Sequence, residues 1–181
     1  RNSFIIGISA TFLATALGTV AALGLSRPNM PFKGTIMAIL ISPMIVPLII
    51  TSAGMFFFYS KIGLTHTYLG LILAHTALGT PFVVITVTAT LTGFDTNLIR
   101  ASQSLGADTM RTFFKVIMPL ILPGVISGAL FAFITSFDEV VVVMFVGSVE
   151  QITIPKQMWA GLRQETSPVI LCMATCLVAL S

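Results

Sequence analysis

Long apolar stretches alternate with short polar ones along the chain, and this alternation sets the predicted elements. Four apolar stretches run from about Phe4 to Leu25, Thr35 to Tyr59, Tyr68 to Leu91 and Phe114 to Ser136. Each is long enough to cross a bilayer as a helix, which takes about 20 residues. Pro43 and Pro47 lie inside the second stretch. We expect a spanning helix there nonetheless, because neighbouring helices can satisfy the carbonyls that proline leaves free.

The chain beyond Ser136 is more polar. Residues 137–168 hold four of the six acidic residues and are too polar to form one lipid-facing span. A last apolar run begins near Val169 and continues to Ser181. This run is too short to span a bilayer. We therefore expect a piece of a longer protein in which the last helix is truncated.

Composition supports a membrane protein. The 181 residues are 56% hydrophobic and 8% charged, whereas a soluble domain has about 25% charged residues. The predicted fold is all-α, a polytopic bundle of transmembrane helices surrounded by membrane lipid. No basic patch with interleaved aromatic residues is present, so no nucleic-acid partner is predicted.

Motifs for chemistry are missing from the sequence. It contains no glycine-rich loop followed by Lys and Ser or Thr, which a phosphate-binding loop needs. It also has no recognisable arrangement of nucleophile, base and orienting group, and no His-Glu metal motif. We therefore predict a protein without a catalytic site, metal or cofactor, which cannot hydrolyse ATP alone.

The basic residues predict the orientation. Arg27 and Lys33 lie in the first polar link, and Arg100, Arg111 and Lys115 lie in or beside the third. The positive-inside rule places both links in the cytoplasm. The first span then starts outside, which predicts one upstream helix. The expected total is six spans with both ends inside, about five of them in this chain.

Residues 95–112 predict a short helix across the cytoplasmic exit of the chain. Asp95 can cap the start of this helix through its carboxylate. Gly106 is well placed to end it, because a left-handed residue at the end of a helix costs least at glycine. Asp108 can then cap the helix that leads into the fourth span.

The short helix is predicted to have one apolar face. Leu98, Ala101 and Leu105 are spaced three and four residues apart, so they lie on the same side of a helix. From the pattern alone, an ordinary loop helix at the membrane surface is the simpler interpretation. The identities of the residues favour a more specific one.

This region resembles the EAA loop of the inner-membrane permease subunits of type I ABC importers, over the sequence ASQSLGADTMRTFFKVIMPLILPGVISG. The family pattern contains Leu-Gly-Ala, followed by Leu-Pro-Leu and Pro-Gly. Leu105-Gly106-Ala107, Met118-Pro119-Leu120 and Leu122-Pro123-Gly124 match it. The resemblance covers nearly all of the chain, because residues 2–27 are similar to the second helix of such a permease. It implies a permease domain over residues 1–181 that lacks the first helix.

The resemblance implies that residues 95–112 are a cytoplasmic coupling helix and loop, which docks in a groove of an ATPase subunit. The implied coupling residues are Arg100, Ala101, Ser102, Leu105, Gly106 and Ala107. Small side chains at 101 and 102 would allow close docking, and glycine would allow the turn. The family has Glu-Ala-Ala where this chain has Arg-Ala-Ser at 100–102. This departure leaves open what replaces an ion pair made by the glutamate.

A later stretch resembles the spermidine/putrescine-type permeases, over SFDEVVVVMFVG and ITIPKQMWAGLRQETSPVI. Permeases for opines and other small organic solutes are also similar. The resemblance implies import of a polyamine across the bacterial inner membrane. It also implies three kinds of partner: ATP-binding subunits that hydrolyse ATP, a second permease subunit that is identical or homologous, and a periplasmic substrate-binding protein.

Asp138 and Glu139 are candidate residues of the substrate path. An acid near membrane depth usually faces a cavity or a partner, and carboxylates suit a polycation. The alternative is that they cap a helix or contact the binding protein. For His75, inside the third span, a neutral imidazole hydrogen-bonded to another helix is the favoured interpretation.

A stand-alone channel or secondary transporter is the rival class. Such transporters often consist of inverted repeats with broken helices. No repeat relates the two halves of this sequence, although its prolines leave broken helices possible. Co-purification with an ATPase separates the two classes.

Overall fold

The computed structural model of the chain describes residues 1–27, 29–164 and 168–180, and the regular structure in these ranges is helical throughout. The helices are α1 (Asn2–Leu25), α2 (Lys33–Ile45), α3 (Leu48–Ile62), α4 (Tyr68–Thr92), α5 (Asn97–Ser104), α6 (Thr109–Thr112), α7 (Met118–Phe137), α8 (Val141–Val146), α9 (Ile154–Gln164) and α10 (Pro168–Leu180). A π-helical stretch, Phe113–Ile117, joins α6 to α7. The prediction of an all-α fold is confirmed.

Within the described residues, three helices are long and apolar enough to cross a membrane, namely α1, α4 and the continuous helical segment Thr109–Phe137. They match the predicted first, third and fourth spans to within a few residues. The span predicted over 35–59 is not one continuous helix. Here α2 and α3 meet at an angle of 104° and form either a broken span or a re-entrant loop.

The break between α2 and α3 lies at Pro47. Val46 is extended, with ψ at 134°, because a proline disfavours the helical conformation in the residue before it. Pro47 then holds the N-cap position of α3, where no intrahelical bond needs its missing N–H, and its carbonyl accepts from the amides of Ile50 and Thr51. Pro43, by contrast, is accommodated inside α2.

The central bundle consists of α1, α4 and α7, which contact one another along their lengths. Small residues bring the helices close together. A Cβ at Gly18 would come within 2.6 Å of Val83, and a Cβ at Gly128 would come within 2.8 Å of the Val83 backbone. Without a hydrophobic driving force inside a bilayer, such close contact is what holds helices together. Val83 is fully buried between these glycines.

A polar pair also joins α4 to α7. His75 Nδ1 lies 2.8 Å from Ser136 Oγ, and both residues are buried. The predicted hydrogen bond between this imidazole and another helix is confirmed. It adds a directional contact to an interface that is otherwise made by small and branched apolar side chains.

Candidate functional site

The turn after α5 has the backbone that the sequence predicts. Gly106 has φ +82°, in the region that residues with a Cβ rarely adopt. Its amide donates to Gln103 O at 2.9 Å, and Ala107 N donates to Ser102 O at 3.1 Å. These two bonds satisfy carbonyls at the end of the helix. The prediction that Gly106 ends the short helix in residues 95–112 is confirmed.

The acids on either side of α5 satisfy amides at helix starts. Asp108 precedes α6 and accepts from Arg111 N at 2.7 Å, which confirms the predicted cap. Asp95 accepts from Asn97 N at 2.9 Å. Thr96 holds the cap position itself, so the Asp95 carboxylate acts from one residue further out.

One face of α5 is apolar and is turned away from the helix bundle. Leu105 is 89% exposed and Leu98 is 43% exposed. Ala101 and Arg100 are exposed beside them. An apolar stripe on a short helix normally packs on its own protein. In this chain the apolar stripe of α5 is exposed instead.

The inner face of α5 is attached to the helix that follows it. Ser102 Oγ lies 2.9 Å from Thr112 Oγ1, and Thr112 is only 2% exposed. Ser102 therefore faces α6, whereas Ala101 is exposed. Our reading of the sequence missed Thr112. The signal was a pair of hydroxyl residues on either side of a glycine turn, at a spacing that brings two short helices together.

The two acids after α7 have different surroundings. Asp138 is exposed, whereas Glu139 is buried and accepts from Val142 N at 3.0 Å. Burial raises the pKa of the Glu139 carboxyl, and bonds from backbone amides at the start of α8 oppose this shift. The Glu139 carboxylate therefore accepts an amide at the start of α8, and the Asp138 carboxylate remains exposed.

At the other end of α8, a lysine completes the charge pattern. Lys156 Nζ donates to Val143 O at 3.2 Å and to Ser148 O at 3.4 Å. A negative charge at the start of a helix and a positive charge at its end both interact favourably with the helix dipole. Glu139 and Lys156 thus fix α8 from its two ends.

Polar side chains tie the segment after α8 to the starts of α1 and α4. Asn2 Nδ2 donates to Glu150 O at 2.9 Å and to Ile152 O at 3.1 Å. Tyr68 OH donates to Asn2 Oδ1 at 3.0 Å. Gln151 Nε2 donates to His66 O at 2.9 Å. We call this set the outer network, made of Asn2, His66, Tyr68, Glu150, Gln151 and Ile152.

The described residues contain no group of three or more His, Cys, Asp or Glu side chains that could hold a metal ion. Their two notable features are the exposed apolar face of α5 at one end of the bundle and the hydrogen-bonded outer network at the other end.

Comparison with known families decides the class of protein. Residues 14–181 match the family described as the binding-protein-dependent transport system inner membrane component. The chain belongs to this family. The permease is therefore a multi-pass inner-membrane transport subunit, as its sequence predicts.

Similar proteins come from polyamine transport systems. The spermidine/putrescine transport system permease protein PotC of Haemophilus influenzae is 31% identical over 180 residues, which cover 99% of this chain and 70% of that protein. PotC of Escherichia coli is 32% identical over 96% of this chain and 65% of its own length. The putrescine transport system permease protein PotI of Escherichia coli is 30% identical over 94% of this chain and 65% of its own length.

A solved structure shares the fold. The MetNI methionine ABC transporter, in inward-facing conformations, contains a chain that superposes with a TM-score of 0.79. The match covers 99% of this chain and 86% of that one, at 22% sequence identity. At this identity the match shows the fold alone. It supports the helix arrangement described above.

Proposed function

We propose that the permease forms, with a second permease subunit, the translocation path of a bacterial ABC importer driven by separate ATPase subunits. A periplasmic binding protein delivers the solute to the outer side. Membership of the family supports this arrangement. The observation that carries it furthest is the exposed apolar face of α5, on the loop that the positive charges assign to the cytoplasm.

In this proposal α5 docks in a groove of the ATPase subunit. The coupling residues are Arg100, Ala101, Ser102, Leu105, Gly106 and Ala107. Leu105 is almost fully exposed in the chain, and burying a leucine side chain stabilises a contact by about 1.5–3 kcal/mol. Ala101 lets the groove approach the helix backbone. Ser102 contributes from the inner face, through its contact with Thr112.

The test is the ATPase activity of the reconstituted complex, with and without loaded binding protein. We expect Ala101→Leu to abolish stimulation, because the larger side chain prevents close docking. Ala16→Leu is the matched control. It makes the same change at an exposed alanine of α1, in the apolar middle of a span, where leucine is favourable. Normal stimulation in the Ala101→Leu complex would contradict docking through this face.

We further propose that the solute is a polyamine such as putrescine or spermidine. The names of the similar permeases support this substrate class, and so does an exposed carboxylate at Asp138. Asp138→Asn and Glu139→Gln each keep the size of the side chain and remove its charge. We expect both to lower polyamine uptake, with the larger loss at Asp138 because Glu139 already accepts a helix amide.

Uptake of labelled putrescine measures this effect, and co-purification of the ATPase confirms that each variant assembles. Unchanged uptake in both variants would assign these acids to structure. If the cognate binding protein binds an opine or another organic solute and no polyamine, the proposed substrate class is wrong.

The bent α2–α3 pair is one observation that also suits a secondary transporter, in which broken helices are common. Purification decides between the classes. An ATPase that co-purifies with the permease supports the importer. Solute transport by liposomes that contain this chain alone would support the rival.

A further inference from the structure

A cavity of about 370 Å³ lies beneath the coupling helix. Its floor is apolar and is formed by Leu23 of α1, Leu91 of α4 and Ile117 of the π-helical stretch, which pack on the bundle core. Ile99 and Gln103 of α5 line it from the opposite side. The coupling helix therefore rests over a space at the end of the bundle, with little packed protein beneath it.

Few contacts hold α5 in place over this cavity. Among the described residues, the hydrogen bond between Ser102 and Thr112 is the one side-chain hydrogen bond from α5 to another helix. Thr112 is buried, so this bond is shielded from water. Mobile elements have few buried contacts, whereas fixed elements have many. The position of α5 thus depends on a single polar contact and on the turns that flank it.

The helix that carries Thr112 is itself irregular at this point. The π-helical stretch Phe113–Ile117 starts directly after Thr112, and both of its end residues line the cavity. Single π-helical turns inside α-helices are rare and frequently occur at functional sites. The anchor of α5 is therefore attached to a segment with an alternative hydrogen-bonding pattern available to it.

We propose that Ser102 and Thr112 are positioning residues that hold α5 above this cavity, and that α5 moves into the cavity when the ATPase subunits close. The inference rests on the proposed docking of α5 on an ATPase. It adds the travel of the helix and the residues that set its resting position. If the space between α5 and the bundle were densely packed, a movement of α5 would be transmitted directly to the bundle core. The cavity instead allows α5 to move before the bundle core does.

Removal of one hydroxyl tests the positioning role. Thr112→Val keeps the shape of the side chain and deletes the hydrogen bond. We expect ATP hydrolysis stimulated by loaded binding protein to fall about fivefold, the effect of one lost hydrogen bond. Thr112→Ser keeps a hydroxyl and should restore most of the stimulation. Thr92→Val is the matched control, because the Thr92 hydroxyl bonds within its own helix at the same end of the bundle.

A double-variant cycle separates positioning from general damage. Ser102→Ala should cause the same loss as Thr112→Val, and the two together should cause no more than either alone, because they remove one shared bond. Full stimulation in both single variants, or strictly additive losses, would overturn the positioning role. Failure of the unaltered permease to bind an ATPase would instead overturn the proposed function.

Thiol labelling tests the movement. Leu23→Cys places a thiol in the cavity floor, in a chain whose own Cys172 and Cys176 are replaced by Ser. N-ethylmaleimide should react several-fold more slowly when the assembled complex is trapped with ADP and vanadate than when it is free of nucleotide. Val149→Cys at the opposite end, where the residue is 84% exposed, should react equally in both states. Equal rates at Leu23→Cys would overturn the movement of α5 into the cavity.

Discussion

The two ends of the bundle are built differently. At the end that we assign to the outside, the outer network joins segments that are far apart in sequence, such as Asn2 with Glu150 and Gln151 with His66. At the end that we assign to the cytoplasm, the bond between Ser102 and Thr112 is the one side-chain hydrogen bond from α5 to another helix within the described part of the chain. Local stability follows the density of such contacts. The permease therefore has one end that keeps its shape and one end that can respond to a partner.

The orientation of the two ends gives the largest expected effect. Thr109 is exposed beside the coupling loop, and Val149 is exposed beside the outer network. With Cys172 and Cys176 replaced, we expect a cysteine at Thr109 to react with an impermeant thiol reagent only from the cytoplasm. A cysteine at Val149 should react only from outside. Labelling of intact cells compared with inverted vesicles measures this, and a reversed pattern would contradict the assigned orientation.

Two glycines in the left-handed backbone conformation, one near each end of the bundle, allow the two ends to be compared directly. Gly106 has φ +82° after α5, and Gly63 has φ +72° at the outer end of α3. A Cβ meets no atom within 4 Å at either position. Each Gly→Val change should therefore cost a similar backbone strain of roughly 1 kcal/mol. We expect Gly106→Val to abolish solute uptake by re-aiming α5, and Gly63→Val to retain most of it.

Gly93→Val controls for the added side chain. Gly93 is close to α5 and also has open space for a Cβ, but its φ is −89°. Uptake measured beside membrane insertion distinguishes loss of coupling from loss of protein. If Gly106→Val and Gly63→Val lower uptake equally, the cytoplasmic end has no special role.

The buried acid of the outer end predicts a pH dependence. Burial raises the pKa of Glu139 above its ordinary value, so the folded state holds this proton more tightly than the unfolded state. The stability that results is present at and below the ordinary pKa, and it is lost as the pH rises through the raised value. We expect the Tm of the purified permease to fall over that window. Glu139→Gln should flatten the fall, because an amide oxygen can still accept from Val142 N.

Asp138→Asn is the neighbouring control for this measurement. Partial burial also raises the pKa of Asp138, but its side chain is exposed, so the Asp138→Asn variant should keep the larger part of the fall in Tm. A fall of equal size in the Glu139→Gln variant would show that another group is responsible.

The smallest effect is expected at Arg100. This residue is exposed on α5, where the family pattern has glutamate. An exposed ion pair contributes about 0–1 kcal/mol and is weakened by salt. We expect Arg100→Ala to change stimulated ATP hydrolysis less than twofold, with a difference that shrinks as ionic strength rises. A complete loss would show that Arg100 makes a buried contact with the ATPase.

Much of the fold could be predicted from local signals. The long apolar stretches, the Gly106 turn and the Asp108 cap each depend on a few neighbouring residues, and each is where the sequence places it. Helix ends and spans are set by backbone rules and by the length of an apolar run, which are visible in one dimension.

The pattern of single residues was less informative at three other places. Pro43 and Pro47 look alike in the sequence, yet only the second breaks the chain into two helices. Glu139 and Asp138 are adjacent and chemically similar, yet one is buried at the start of α8 and the other is exposed. The partnership of Ser102 with Thr112 depends on how a turn folds two helices together. Such choices are made by packing, which a pattern of single residues does not contain.

The π-helical stretch at Phe113–Ile117 has a consequence for rotational phase. Each residue advances an α-helix by about 100°, and a π-helical turn accommodates one residue more than an α-helical turn of the same length. Deletion of one residue here would allow a plain α-helix to run from α6 into α7. Conversion of this stretch to a plain α-helix without a deletion would instead rotate Thr112 by about 100° relative to the bundle and away from Ser102. The π-helical turn thus absorbs the additional residue and keeps α6 and α7 in angular register, so the hydrogen-bonding pattern of this stretch sets the direction in which Thr112 points.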